Sequence, residues 1–140
     1  MGIRKFLRLE WFSEHQSGSL NRSEDVMIKE CATIENFEQL LSDSKSRPVF
    51  LLKHSMSCGI SSGAKRRYET FSNGEENADF WLISVIPQRA LSQHIAQFTG
   101  ITHQSPQALL FIDGKVVWQE SHWSIDEKNL AGALEKHISL

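Results

Sequence analysis

Apolar residues first recur at helical spacing after Thr33, where Ile34, Phe37, Leu40 and Leu41 share one face until the polar run DSKSRP interrupts them. Thr33 carries the hydroxyl of an N-cap. Val49 to Leu52 is unbroken apolar sequence after Pro48, the pattern of a strand covered on both faces. The turn HSMSCGIS follows, and Ile60, Ala64, Tyr68 and Phe71 then lie on one helical face that ends at Asn73-Gly74. Phe80 to Ile86 predicts a second buried strand, stopped by Pro87. Leu91, Ile95 and Phe98 mark a third helix, with Gly100 just past its end. Gln107 to Ile112 and Lys115 to Glu120 flank Asp113-Gly114, the dipeptide of a tight hairpin. Ser124 with Glu127 three residues later reads as a capping box before a last helix through Leu130, Ala131, Leu134 and Ile138.

The order is therefore helix, strand, helix, strand, helix, strand, strand, helix. Strands separated by helices call for right-handed parallel crossovers, and the closing pair forms an antiparallel hairpin. This predicts a thioredoxin-like α/β fold, a four-stranded mixed sheet flanked by helices on both faces, over residues 31–140. Residues 1–30 read as an N-terminal extension. Ile3, Phe6, Leu7 and Trp11 could share a helical face there, either against the domain or toward a surface, and EHQSGSLNRSED has turn-forming or disordered character.

Composition narrows the function classes. The chain has 140 residues, enough for one domain with a sizeable core but not for two large ones. With 40% hydrophobic and 23% charged residues it has neither the composition of disorder nor that of a membrane protein. A formal charge of -2 supplies no electrostatic footprint for nucleic acid. No apolar run reaches the length of a secretory core or a membrane span, so export and membrane association are not expected. Two widely separated cysteines, Cys31 and Cys58, cannot build a disulfide framework or a thiolate zinc site, which points to a reduced, cytoplasmic protein.

Cys58 follows the Val49-to-Leu52 strand and opens the next helix in SCGIS. Unpaired first-turn amides and the helix dipole favour a thiolate there. The dipole alone, about 0.3 to 1 kcal/mol against about 1.36 kcal/mol per pKa unit, moves a thiol by less than one unit. Further help would come from the amides of Ile60 and Ser61, from the Ser61 hydroxyl, or from Lys53, His54 and Lys65 nearby. The competing reading makes Cys58 a small buried hydrophobe, although burial does not explain its strand-to-helix position. Position 61 is Ser, so no C-x-x-C disulfide can form and the chemistry would be monothiol. Cys31 reads as inert packing or an exposed spare, with a resolving role as the alternative. Cys58 and His54 offer only two ligands, too few for a closed metal site, and no bound cofactor is expected.

The hairpin adds a second corner. With Asp113 and Gly114 as the two turn residues, Gln107 would face Glu120, Pro106 would face Ser121 and Ser105 would face His122. Pro106 at strand entry is either an ordinary trans proline or a cis one. His122 and Trp123 either orient a substrate or serve as a strand-end residue and a core plug.

The segments PVFLLKHSMSCGIS and SPQALLFIDGKVVWQESHW resemble the YtxJ-type monothiol bacilliredoxins of bacteria that make bacillithiol. The similarity spans roughly Thr33 to Leu140. It implies a thioredoxin-like fold and removal of bacillithiol from S-bacillithiolated client proteins, with bacillithiol as a small-thiol co-substrate. It assigns the reactive cysteine to Cys58, the following turn to Gly59, Ile60 and Ser61, and the thioredoxin-type cis-proline to Pro106. Gly59 stands where many members carry Pro. Ser105, Pro106, His122 and Trp123 are the expected substrate contacts. The alternatives are an enzyme using glutathione or coenzyme A, and a thioredoxin-fold binding module with an idle Cys58.

Overall fold

A computed structural model describes residues 28–56 and 59–138. The elements run β1 (Lys29–Glu30), α1 (Ile34–Asp43), β2 (Val49–His54), α2 (Gly59–Gly74), β3 (Asp79–Ser84), α3 (Arg89–Thr99), β4 (Gln107–Ile112), β5 (Lys115–Ser121), a 3-10 turn (His122–Ser124) and α4 (Glu127–Ile138). The strands form one mixed sheet in the order β1-β3-β2-β4-β5. β1 and β2 lie parallel to β3, whereas β4 is antiparallel to both β2 and β5.

The sheet has five strands, not the four expected. The added strand is two residues long, with Lys29 opposite Trp81 and Glu30 opposite Leu82. Two exposed residues carry no alternation from which a strand could be read. Residues 1–27 of the expected extension, with the Ile3, Phe6, Leu7 and Trp11 face, lie outside the described residues.

Alternation along the strands divides the core into two layers. Phe50, Leu52, Phe80, Ala108 and Leu110 meet Ala64, Tyr68 and Phe71 of α2 and Leu130, Ala133 and Leu134 of α4. Val49, Leu51, Trp81, Ile83, Leu109 and Phe111 meet Phe37 and Leu40 of α1 and Leu91 and Ile95 of α3. On α4 it is Ala133 that turns inward, while Ala131 faces out. The Tyr68 hydroxyl donates to the Trp81 carbonyl at 2.8 Å, so this buried phenol is satisfied.

Thr33 caps α1 as expected, accepting from the Asn36 amide at 3.0 Å. The start of α4 differs from the expected Ser124–Glu127 box. Asp126 accepts the Asn129 amide at 2.8 Å and its carbonyl accepts Leu130 N–H at 2.9 Å, while Ser124 lies in the preceding 3-10 turn. An aspartate one residue before the helix competes better for the orphan amides than a serine three residues away.

Candidate functional site

The hairpin register decides what stands at the end of β4. Asp113 and Gly114 take φ of 55° and 78°, the left-handed pair that a tight hairpin turn requires. Ile112 then faces Lys115 and Phe111 faces Val116, but Leu110 faces Trp118, so Val117 is an extra residue in β5. The bulge corrects the expected register by one. Gln107 faces Ser121, not Glu120, and the Pro106 carbonyl accepts the His122 N–H at 3.1 Å. The turn dipeptide cannot announce such a bulge, which lies outside the turn, at the register shift between Leu110 and Phe111.

The Ser105–Pro106 peptide is cis. Pro106 is buried, and the Ser105 hydroxyl is buried without a hydrogen-bond partner. Gln107, expected only as the first residue of the strand, staples the preceding loop. Its amide donates to the Thr102 carbonyl at 3.1 Å and to Gln119 Oε1 at 3.3 Å, and its Oε1 accepts the Gln104 amide at 3.4 Å. His122 has φ of 57°, a left-handed conformation that costs a residue bearing a Cβ on the order of 1 kcal/mol. That bend breaks the β direction and presents Trp123, which is 68% exposed with the Arg67 guanidinium 5.9 Å from its ring. Arg67 is itself held by donating from Nε to the Ile125 carbonyl at 2.6 Å. Trp123 is thus a surface platform and not a core plug.

At the other side of the site β2 delivers the chain into α2. Ser57 and Cys58 lie outside the described residues, so the expected thiol is placed only by its neighbours in the chain. Gly59 is exposed and begins α2, Ile60 is half-buried and Ser61 is buried. The Ser61 hydroxyl accepts the Ser55 amide at 2.9 Å, which ties the first turn of the helix to the end of the strand. No acidic residue occupies that turn. The helix start therefore presents partial positive charge with nothing opposing it locally.

Of the three cations expected near the turn, Lys53 parts from His54 and Lys65. Lys53 points to the α1 and α3 layer, where its Nζ lies 3.4 Å from the Ser92 carbonyl and 3.4 Å from His103 Nδ1. Burial lowers its pKa to about 8. His103 also contacts the Ser92 hydroxyl at 3.1 Å, and burial, then Lys53 and Arg89, lower its pKa. His54, the next residue of β2, turns to the α2 layer, where burial and then Lys65 lower its pKa, partly offset by the Ser61 backbone and Glu69. Cys31 is fully buried in the α1 and α3 layer, and burial pushes its thiol up to about 11. Among the described residues no group of three or more His, Cys, Asp or Glu could hold a metal ion. No described helix is long and apolar enough to cross a membrane.

The chain is similar to solved structures of thioredoxin type. One, described provisionally as an oxidoreductase with a thioredoxin fold, is 35% identical, with 79% of this chain and 96% of the other covered at a TM-score of 0.71. Thioredoxin of Fasciola hepatica is 20% identical over 79% of this chain and 99% of its own, with a TM-score of 0.65. An N21Q mutant thioredoxin from Halobacterium salinarum NRC-1 is also 20% identical, over 82% and 94%, with a TM-score of 0.68. These last two establish the thioredoxin-like fold alone. The family model described as monothiol bacilliredoxin BrxC matches residues 29–130, which is most of the chain, and the protein belongs to that family.

Proposed function

We propose that this protein is a monothiol thiol-disulfide oxidoreductase that removes bacillithiol from S-bacillithiolated proteins. Family membership and the 35% identical oxidoreductase support redox chemistry of thioredoxin type. The observation that carries the site is the start of α2: Gly59, directly after Cys58, opens a helix with no acidic first-turn residue and with Ser61 anchored to Ser55. Such a helix end stabilises a thiolate at the preceding residue. Gly59, Ile60 and Ser61 supply the amides that stabilise it.

In the proposed reaction the Cys58 thiolate attacks the bacillithiol sulfur of the mixed disulfide. The client sulfur leaves as a thiolate and takes a proton, and Cys58 carries bacillithiol through a new disulfide. A second bacillithiol thiolate then attacks the bacillithiol sulfur of that adduct. Bacillithiol disulfide leaves and the Cys58 thiolate is restored, so one free bacillithiol is oxidised for each client reduced, the other half of the disulfide coming from the adduct. Ser105 and Pro106, with His122 and Trp123 across the strand end, hold the client beside the reacting sulfurs. The buried, unpartnered Ser105 hydroxyl and the exposed indole of Trp123 support that placement.

Incubation with an S-bacillithiolated model protein tests the assignment. Mass spectrometry is expected to show loss of the adduct from the client and its appearance on Cys58. Undiminished removal by a Cys58→Ser variant would reject it.

A further inference from the structure

β2 ends in two basic residues that alternate to opposite faces of the sheet. Lys53 is absorbed by Ser92 and His103, whereas His54 lines an open cleft of about 290 Å³ together with Met56, Ser62, Lys65, Arg66 and Glu69. Ser62, Lys65, Arg66 and Glu69 recur three and four residues apart, so one stripe of α2 makes the wall. The cleft opens at the carboxyl end of β2, where open α/β sheets characteristically leave a crevice for ligands. Met56 and Ser62 bracket in sequence the turn that carries Cys58.

Two independent observations give this cleft a chemistry. The first is charge: two cations face one carboxylate, and Glu69 is already 3.7 Å from Lys65. Arg66 makes no ion pair among the described residues. A single negative charge would balance the set. The second is His54, only 4% exposed, whose Nδ1 is buried without a hydrogen-bond partner. An orphaned ring nitrogen of this kind is an unmet hydrogen-bonding group that a ligand pairing with it relieves.

We infer that this cleft is the subsite for a carboxylate arm of the small thiol, with Lys65 and Arg66 supplying charge and the His54 imidazole supplying a directed hydrogen bond. The inference rests on the small-thiol chemistry proposed above. A net charge near one favours a carboxylate over a phosphate dianion.

The test compares transfer from one client protein carrying bacillithiol, glutathione, coenzyme A or 2-mercaptoethanol. In a Lys65→Gln, Arg66→Gln double variant, the KM for the bacillithiol and glutathione adducts is expected to rise about tenfold, as expected for losing about 1.4 kcal/mol of binding. The 2-mercaptoethanol adduct, which has no acid, is expected to keep its kcat/KM. An equal loss across all four adducts, or a loss confined to the coenzyme A adduct, would overturn the inference. A readout independent of turnover is the His54 imidazole resonance during titration with lactate, a monocarboxylate without a thiol. It is expected to shift in the native protein and less in the double variant. No shift in the native protein overturns the subsite even if transfer proceeds, whereas a shift without transfer supports the subsite and rejects the redox reading.

Discussion

Cys31 illustrates how one residue's chemistry is set by its layer. Its amide donates to the Leu82 carbonyl at 2.8 Å, which continues the β1 pairing, and its thiol is sealed among the α1 and α3 side chains. With burial raising its pKa to about 11, almost no thiolate exists at neutral pH. Native protein treated with iodoacetamide at pH 7.5 is therefore expected to leave Cys31 unmodified, with full labelling only after denaturation. A peptide map that showed rapid native labelling of Cys31 would contradict the sealed packing. The same isolation argues against Cys31 as a resolving thiol, because a resolving thiol must reach the adduct as a nucleophile.

Elements here are joined by short polar contacts at their ends. Ser44, at the C-terminus of α1, accepts the Asp113 amide on its carbonyl at 2.7 Å and the Gly114 amide on its hydroxyl at 2.8 Å. Those bonds seat the hairpin turn and hence the strand that carries Pro106 and His122. At the opposite end, α4 depends on Asp126. Asp126→Ala is expected to lower stability in urea denaturation by about 1 kcal/mol, the usual cost of losing an N-cap, whereas Ser124→Ala costs a small fraction of that. The reverse ranking would restore the capping box read from sequence. Asp-Gly was a sufficient signal for the turn itself, since few other dipeptides take two left-handed conformations cheaply.

Across the whole molecule, the sheet separates two populations of buried polar groups, and Lys53 is the costliest of them. Its pKa falls from 10.5 to about 8 because the charged ammonium is withdrawn from water with only distant contacts in exchange. Below pH 8 both native and denatured chains hold the proton, and the penalty, on the order of 3 kcal/mol, is fully present. Between pH 8 and 10.5 the denatured chain binds the proton more tightly, so this group makes stability rise with pH. Cys31 works in the opposite sense: its raised pKa makes stability fall as pH climbs from 9 toward 11. The protein is thus expected to gain stability from pH 7.5 to 9, and Lys53→Met to be more stable at pH 7 and to lack that rise. An unchanged slope in the variant, measured by denaturation at several pH values, would exclude Lys53 as its source.

The sequence by itself determined the helices, the four longer strands and the hairpin, because period 3.6, unbroken apolar runs and turn dipeptides reflect local burial and backbone preference. It also singled out the cysteine at the helix start, since that position follows from chain order. Only tertiary structure decided the edge strand at Lys29–Glu30, the bulge that brings His122 to Pro106, the Gln107 staple, and which groups meet Lys53 and His54 on the two faces. Each of these depends on which residues meet across strands and loops, and such a pairing leaves no periodic trace in either segment alone.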